Sequence, residues 1–342
     1  MGFASKFTEQ AFRVLSGITP QLLVQAAEKN PWFIPAFVQH RLDSLKESLT
    51  GEKETLEQLL ELETQSGAPQ VLSIVAAGNI PLVCWHDLVC CLAYAASCPN
   101  KTTVEIKLSS KDDVLLPVIV ERLAAQEGPC LEGISVQFVD RVSLQTQAIL
   151  FTGGAQAQEH YCRTFPGIPL LLRTGRSSVA LVTGAESAAQ LRGLAEDCFL
   201  YFGLGCRNVS LLLVPSGYDF GSFIRQVGIR FGSLLQQHNG YMNAFRHARA
   251  CRAMTTITAD EIYKSELFVL QENDSLFPPM AVLHYMEYKD LATATRFISA
   301  NRDRIQCVAG TDQVPFGQTQ APLFTDYADG LNTLEWLQKL SY

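Results

Sequence analysis

From Val71 onward, short apolar runs rich in β-branched residues alternate with helical patterns, and this alternation restricts the fold more than any other feature of the chain. The run VLSIV ends in Gly78-Asn79, and Pro81 is expected to open a long apolar helix over 82–97. A strand over 103–108 follows, then SSKDD with Ser and Asp as candidate helix caps, then a helix over 114–126. Further strands are expected over 134–139 and 148–152, the latter running into Gly153-Gly154 and a helix through Tyr161, with two more over 170–172 and 179–182. Strand, turn and helix at this spacing predict an α/β protein with an open parallel sheet and ligand sites at the carboxyl ends of its strands. Asn79, the Ser109-Ser110-Lys111 segment and Gly153-Gly154 all fall at such ends. No GxGxxG fingerprint is present, so the pattern alone does not establish a Rossmann dinucleotide site.

Ahead of this alternation, residues 1–66 read as a helical lead-in. Pro20 follows Thr19 at a first helical position, Asn30-Pro31 interrupts, and 33–49 and 54–62 keep helical spacing. At 342 residues the chain exceeds what one hydrophobic core usually supports, so two domains, or one domain with a large lobe, are expected. A net charge of −7 argues against nucleic acid or an anionic membrane as a partner. No apolar run is long enough to suggest a membrane span, and ten cysteines set mostly in apolar stretches suggest reduced thiols in a cytoplasmic protein.

Two cysteine-bearing segments are candidates for chemistry. In YFGLGCRNVS, 201–210, Cys206 sits between Gly205 and Arg207-Asn208, with an apolar, aromatic-rich helix expected before it and a strand over 211–215 after it. Gly203 and Gly205 allow close approach to the sulfur and Arg207 favours thiolate, so Cys206 is a candidate loop nucleophile; a small buried core residue is the alternative. In CWHDLVCC, residues 84, 87 and 91 share one helical face while His86 and Cys90 share another. No face offers four ligands and the CxxC spacing is missing, so buried core thiols are expected there instead of a metal.

The order AAGNIP (76–81), VEIKLSSKD (104–112), ILFTGG (149–154), RTGRSSVALV (173–182), YFGLGCRNVS, LFPP (276–279) and VPFGQTQ (314–320) resembles the aldehyde dehydrogenase superfamily. Within it, the chain is similar to the acyl-CoA reductase branch, the LuxC-type component of the fatty acid reductase of luminous bacteria. The resemblance covers roughly residues 70–342. It implies two open-sheet α/β lobes behind the helical lead-in: a dinucleotide-binding domain of 1–178 plus 318–342 and a catalytic domain of 179–317.

The resemblance also implies roles. Cys206 takes the place of the family's nucleophile and Asn79 that of the amide sharing the oxyanion hole with the nucleophile's backbone N–H; a turn residue beside Gly78 is the alternative for Asn79. Lys107 matches the lysine near the adenosine ribose. The acidic ribose-binding position three residues on is Ser110, flanked by Ser109 and Lys111, which favours the 2′-phosphate of NADPH over NADH. Phe151, Thr152, Gly153 and Gly154 match the turn beneath the cofactor, and Phe277 the phenylalanine near the nicotinamide, although the glutamate two residues before it is Ser275 here. Hydrolytic members carry a general-base glutamate where this chain has Arg173. Without that base, the implied reaction is reduction of a long-chain fatty acyl-CoA to the aldehyde through an acyl thioester on Cys206.

The acyl group would come from acyl-CoA or from an acyl-activating or acyl-carrier protein. The chain is shorter than most members, so the usual oligomerisation hairpin is not assured by the resemblance and a homo-oligomer stays open. A short-chain acylating aldehyde dehydrogenase and a catalytically silent dinucleotide-binding protein are the alternatives.

Overall fold

The computed structural model describes residues 2–63, 69–173, 175–255 and 265–340. It contains two compact units, Met1–Gly175 with Leu323–Tyr342, and Arg176–Pro322. The crossings fall at 175/176 and 322/323, not at 178/179 and 317/318. A cut at 178 would sever the strand that starts at Ser177, and the N–H groups of Gly317 and Thr319 are bound to Asp197 of the second unit.

The first unit opens with helices α1 (Phe3–Ser16), α2 (Pro20–Lys29), α3 (Pro35–Gly51) and α4 (Lys53–Leu60). Phe7, Ala11, Val14 and Leu15 recur at helical spacing and enter one core with Leu42, Leu45, Leu56 and Leu60. That core is continuous with the sheet residues Leu72, Ile74, Val104 and Leu150, so the lead-in is part of the unit. The remaining elements alternate: β1 (Val71–Val75), α5 (Trp85–Ser97), β2 (Thr103–Lys107), α6 (Leu115–Ala124), β3 (Ser135–Phe138), β4 (Ala148–Thr152), α7 (Ala155–Thr164) and β5 (Leu170–Arg173).

All strand pairs in the resulting sheet are parallel, in the order β3-β2-β1-β4-β5. Val75 lies opposite Lys107 and Phe151, and Thr152 opposite Arg173, which brings the carboxyl ends of β1, β2, β4 and β5 to one edge. The helix expected from Leu82 begins at Trp85. Leu82 has a left-handed backbone (φ 53°) that cannot continue a helix, and its N–H is held by the carboxylate of Asp112. That bond also removes Asp112 as a cap for α6, which starts without a side-chain cap.

The second unit contains β6 (Ser177–Leu181), α8 (Ala188–Phe199), β7 (Val209–Pro215), α9 (Gly221–Gln237), α10 (Asn239–Thr255), β8 (Val269–Glu272), β9 (Val282–Tyr288), α11 (Leu291–Ala300) and β10 (Ile305–Ala309). Its sheet is again parallel, in the order β10-β6-β7-β9-β8. Helix α8 starts with a capping box, Ser187 and Gln190 each bonding the other's backbone N–H. The chain then returns to the first unit and ends its described course with α12 (Thr333–Gln338). Among the described residues no helix is long and apolar enough to cross a membrane.

Candidate functional site

In the second unit, Cys206 lies between α8 and the amino end of β7 and is solvent-exposed. The helix expected before it is α8, which stops at Phe199. After Phe199 the chain turns through a short 3₁₀ segment in which Tyr201, Phe202 and Gly203 take left-handed φ values of 54°, 57° and 74°. For Tyr and Phe this conformation costs about 1–2 kcal/mol each. Burial offsets it: both rings are inside, and Phe202 packs at 4.3 Å from His238 and 5.8 Å from Tyr241.

Asn208 fixes the loop that follows. Its side-chain oxygen accepts the N–H of Gly205 at 2.8 Å, while its amide donates to the carbonyls of Asp197 (3.0 Å) and Leu200 (2.9 Å). One buried amide therefore ties the end of α8 to the residue immediately before Cys206. Asp197 is bound from the other side: its carboxylate accepts the N–H of Gly317 (2.7 Å) and both the N–H and hydroxyl of Thr319 (3.0 and 2.8 Å). Burial pushes this carboxyl up to about 6 against those hydrogen bonds. Gly193 on α8 is obligatory here, because a β-carbon would meet the Phe316 carbonyl oxygen at 2.6 Å. The return segment 316–319 is thereby seated on the helix that leads to the thiol.

Both ladders beside the Cys206 loop are irregular. The register of β6 with β7 shifts between Ser178 and Val179, and that of β10 with β6 between Ile305 and Val308. Bulges of this kind re-aim side chains next to functional sites. Ser178, wholly buried, donates its hydroxyl to the Cys206 carbonyl at 3.0 Å, lies 3.1 Å from the Cys307 sulfur and accepts the Cys307 N–H at 3.3 Å. Ser210 bonds the Ser177 hydroxyl at 2.5 Å and donates to the Leu276 carbonyl at 2.7 Å, while His284 Nδ1 is 2.7 Å from the Ser275 carbonyl. Phe277 is thus carried on a loop anchored to the strands around Cys206. Its ring is 45% exposed, with the Arg304 guanidinium 5.2 Å from the ring centre. Ser275, where the family has glutamate, makes a turn: its hydroxyl accepts the Phe277 N–H at 3.5 Å.

In the first unit the expected dinucleotide residues gather at the carboxyl edge of the sheet. Gly78 packs so closely under Ser109 that a β-carbon would meet the serine hydroxyl at 2.7 Å, which joins the Asn79 turn to the SSK segment. Ser109 accepts the Lys111 N–H at 3.3 Å; Ser110 and Lys111 are exposed, Asn79 and Lys107 half-buried. Asp112 clamps the same two turns through the Leu82 N–H at 2.9 Å, and burial pushes its carboxyl up to about 7. Asp113 is paired with Lys29 at 3.0 Å. Phe151 does not line this edge. It is buried, packs against Tyr161 with the ring planes tilted and their centres 5.3 Å apart, and its ring occupies the space a β-carbon on Gly153 would need. Gly153 is therefore required by Phe151 beneath it. Thr152 is half-buried, and Gly154, exposed with open space around it, caps the amino end of α7.

Arg173, at the end of β5, is a buried ion-pair residue. Its guanidinium binds Asp87 with two nitrogens (2.7 and 3.3 Å), the Ala328 carbonyl at 2.6 Å and the Thr333 hydroxyl at 2.6 Å. Burial would raise the Asp87 carboxyl, but the charge and hydrogen bonds of Arg173, with help from His86, hold it at about 2. The CWHDLVCC cluster is consumed by this structure. Asp87 serves Arg173, His86 Nε2 meets the Phe324 carbonyl at 2.9 Å, and burial pushes the thiols of Cys84, Cys90 and Cys91 well up.

Sequence reasoning missed Asn208, Asp112, Asp197, Ser178 and Cys307. Asn208 was visible beside Cys206, but its role needs the backbone geometry of the loop; the others act across distances of up to 129 residues along the chain.

No family model matches this chain and no curated protein matches it. Solved structures do match. Aldehyde dehydrogenase C from Pseudomonas syringae, a mutant in complex with NAD+ and octanal, superposes with a TM-score of 0.61 at 11% identity over 90% of this chain and 72% of that one. A putative aldehyde dehydrogenase from Burkholderia cenocepacia gives 0.59 at 11% identity, covering 90% and 74%. An acetylating aldehyde dehydrogenase from Geobacillus thermoglucosidasius gives 0.57 at 11%, covering 91% and 76%. The chain has the aldehyde dehydrogenase fold.

Proposed function

We propose that this protein reduces a fatty acyl thioester, acyl-CoA or a carrier-delivered acyl group, to the aldehyde, with Cys206 as the acyl-accepting nucleophile and NADPH as reductant. The observation that carries the proposal is the exposed thiol on a loop set by Asn208 and by two strained aromatic residues, in a chain whose Arg173 is locked in a buried ion pair where hydrolytic relatives keep a base.

The residues fit a phosphorylated dinucleotide. Ser110, Lys111 and Lys107 stand at the carboxyl edge of the first sheet beside the exposed amino end of α7 at Gly154. Both carboxylates of that segment are engaged, Asp112 by Leu82 and Asp113 by Lys29, which leaves neither directed to ribose hydroxyls or against a 2′-phosphate. When bound, the cofactor supplies hydride to the acyl carbon.

The chain's own residues do the rest. Cys206 attacks the thioester carbonyl, its own N–H serves as an oxyanion donor, the family resemblance gives the Asn79 amide the role of second donor, and the CoA or carrier thiolate leaves. Exchange of one thioester for another is nearly isoenergetic, so orientation and charge stabilisation suffice and no strong base is required. A base that activated water would hydrolyse the acyl-enzyme; Arg173, held by four hydrogen bonds, offers none. The exposed ring of Phe277 is an apolar surface suited to the acyl chain or the nicotinamide.

Incubation of the full chain with palmitoyl-CoA in the absence of NADPH, followed by peptide mass spectrometry, tests this reading. A palmitoyl adduct on the Cys206 peptide, discharged as aldehyde when NADPH is added, is expected. Acylation at another cysteine, or none with any chain length, would overturn it.

A further inference from the structure

We propose that Cys206 and Cys307 form a reversible disulfide when the protein meets a hydroperoxide, with Cys307 as the resolving thiol. Acyl transfer to Cys206 has no use for a second thiol, yet the Ser178 hydroxyl bonds the Cys206 carbonyl at 3.0 Å and sits 3.1 Å from the Cys307 sulfur. The two cysteines are 101 positions apart in sequence, and one buried serine links the main chain of the first to the sulfur of the second. Cys307 lies inside the register shift between Ile305 and Val308, where β10 leaves regular pairing with β6, and Cys206 lies on a loop; neither residue is held in a continuous ladder that would resist the adjustment a disulfide needs.

Exposure sets the order of events. Cys206 is exposed and Cys307 half-buried, so the oxidant reaches Cys206 first. The Cys206 thiolate attacks the peroxide O–O bond. An S–O bond forms, water or an alcohol leaves, and the sulfur is oxidised by two electrons to the sulfenic acid. The Cys307 thiolate then attacks that sulfur, an S–S bond forms, and hydroxide leaves as water. A dithiol reverses the step by exchange. The other cysteines of this unit are placed differently. Cys198 is buried in α8 with its thiol pushed well up by burial, and Cys251 is exposed on α10 with its sulfur 3.7 Å from His247 Nε2. The pairing removes the nucleophile while protecting it from the irreversible sulfinic stage, so the proposed activity would stop under oxidant and return on reduction.

The inference rests on the reading of Cys206 as a reactive thiol, and its test needs neither acyl-CoA nor a nicotinamide. The full chain is treated with two or more equivalents of hydrogen peroxide, the remaining thiols are blocked, and intact mass and non-reduced peptides are recorded. A mass lower by two hydrogens, a linked Cys206–Cys307 peptide, and a drop of about tenfold or more in Cys206 alkylation that a dithiol restores are expected. In Cys307→Ser, which keeps a polar atom beside Ser178, and in Cys307→Ala, Cys206 should instead accumulate two oxygens and fail to recover with dithiol. Alkylation of reduced Cys206 in each variant checks that the loop has formed. Sulfinic acid at Cys206 in the unmodified chain, or a disulfide linking Cys206 to Cys198 or Cys251, would overturn the proposal. Disulfide formation in a protein that turns over no acyl-CoA would uphold it while the reductase reading fails.

Discussion

Replacing Arg173 with methionine removes a guanidinium that makes two hydrogen bonds to Asp87 and one each to Ala328 and Thr333, at a position where arginine and aspartate are each 6% exposed. The aspartate is left buried without its cation. Breaking such a pair from one side costs about 3–5 kcal/mol, because the remaining charge is desolvated and uncompensated. Each kcal/mol lowers Tm by about 2–4 °C in a unit of this size, so a fall of about 10 °C is expected. Differential scanning calorimetry of the Arg173→Met protein at neutral pH measures it. Adding Asp87→Leu should restore at least half the loss, since an apolar pair of similar volume carries no orphaned charge. The folded-state pKa of Asp87, about 2, lies below its ordinary 3.8. Its contribution is therefore fully present above the ordinary value and lost as pH falls through about 2, so the gap between the two proteins should narrow over that window. A fall of less than about 2 °C, or a double variant that loses as much as the single one, would refute the claim that Arg173 is a structural cation.

Asp112 works in the opposite sense. Its folded-state pKa, pushed up to about 7 from 3.8, means that the folded chain holds a proton more tightly than the unfolded chain, so stability falls as pH rises from about 4 through 7. Asp112→Asn keeps an acceptor for the Leu82 N–H and should be more stable than the parent at pH 8, by up to about 4 kcal/mol, with little difference near pH 4, read by urea denaturation. Asn208→Ala removes three hydrogen bonds from the loop and should lower turnover by about 10- to 100-fold and alter the alkylation rate of Cys206, with global unfolding monitored separately. Ser110→Asp should move cofactor preference from NADPH toward NADH by about tenfold or more, measured as the ratio of kcat/KM values.

Periodicity and turn chemistry made the first unit legible. The parallel strands at Val71, Thr103, Ser135, Ala148 and Leu170 begin within two residues of the positions that β-branched runs bounded by glycine and polar turns specify. The misplacements have local causes. Leu82 adopts a left-handed backbone that no propensity favours, stabilised by Asp112 thirty residues away, so α5 starts late. The left-handed backbone of Tyr201 and Phe202 was not legible, because the burial that offsets it, such as the packing of Phe202 against His238 and Tyr241, comes from residues later in the chain. Motif order marked Cys206, Asn79 and the SSK segment, but it also marked Phe151, whose ring turns into the core and makes Gly153 necessary. The absence of a base at Arg173 could be read from one letter; that the arginine is a buried partner of Asp87 could not.

The most direct test of the central claim is nicotinamide oxidation by the purified full chain with a ladder of acyl-CoAs, run beside Cys206→Ala. Consumption of NADPH that depends on acyl-CoA, yields aldehyde, prefers long chains and vanishes in the variant is the expected result. Acyl-CoA-dependent consumption that persists in Cys206→Ala, or tight NADPH binding with no turnover of any acyl-CoA or carrier-bound acyl group, would contradict the account.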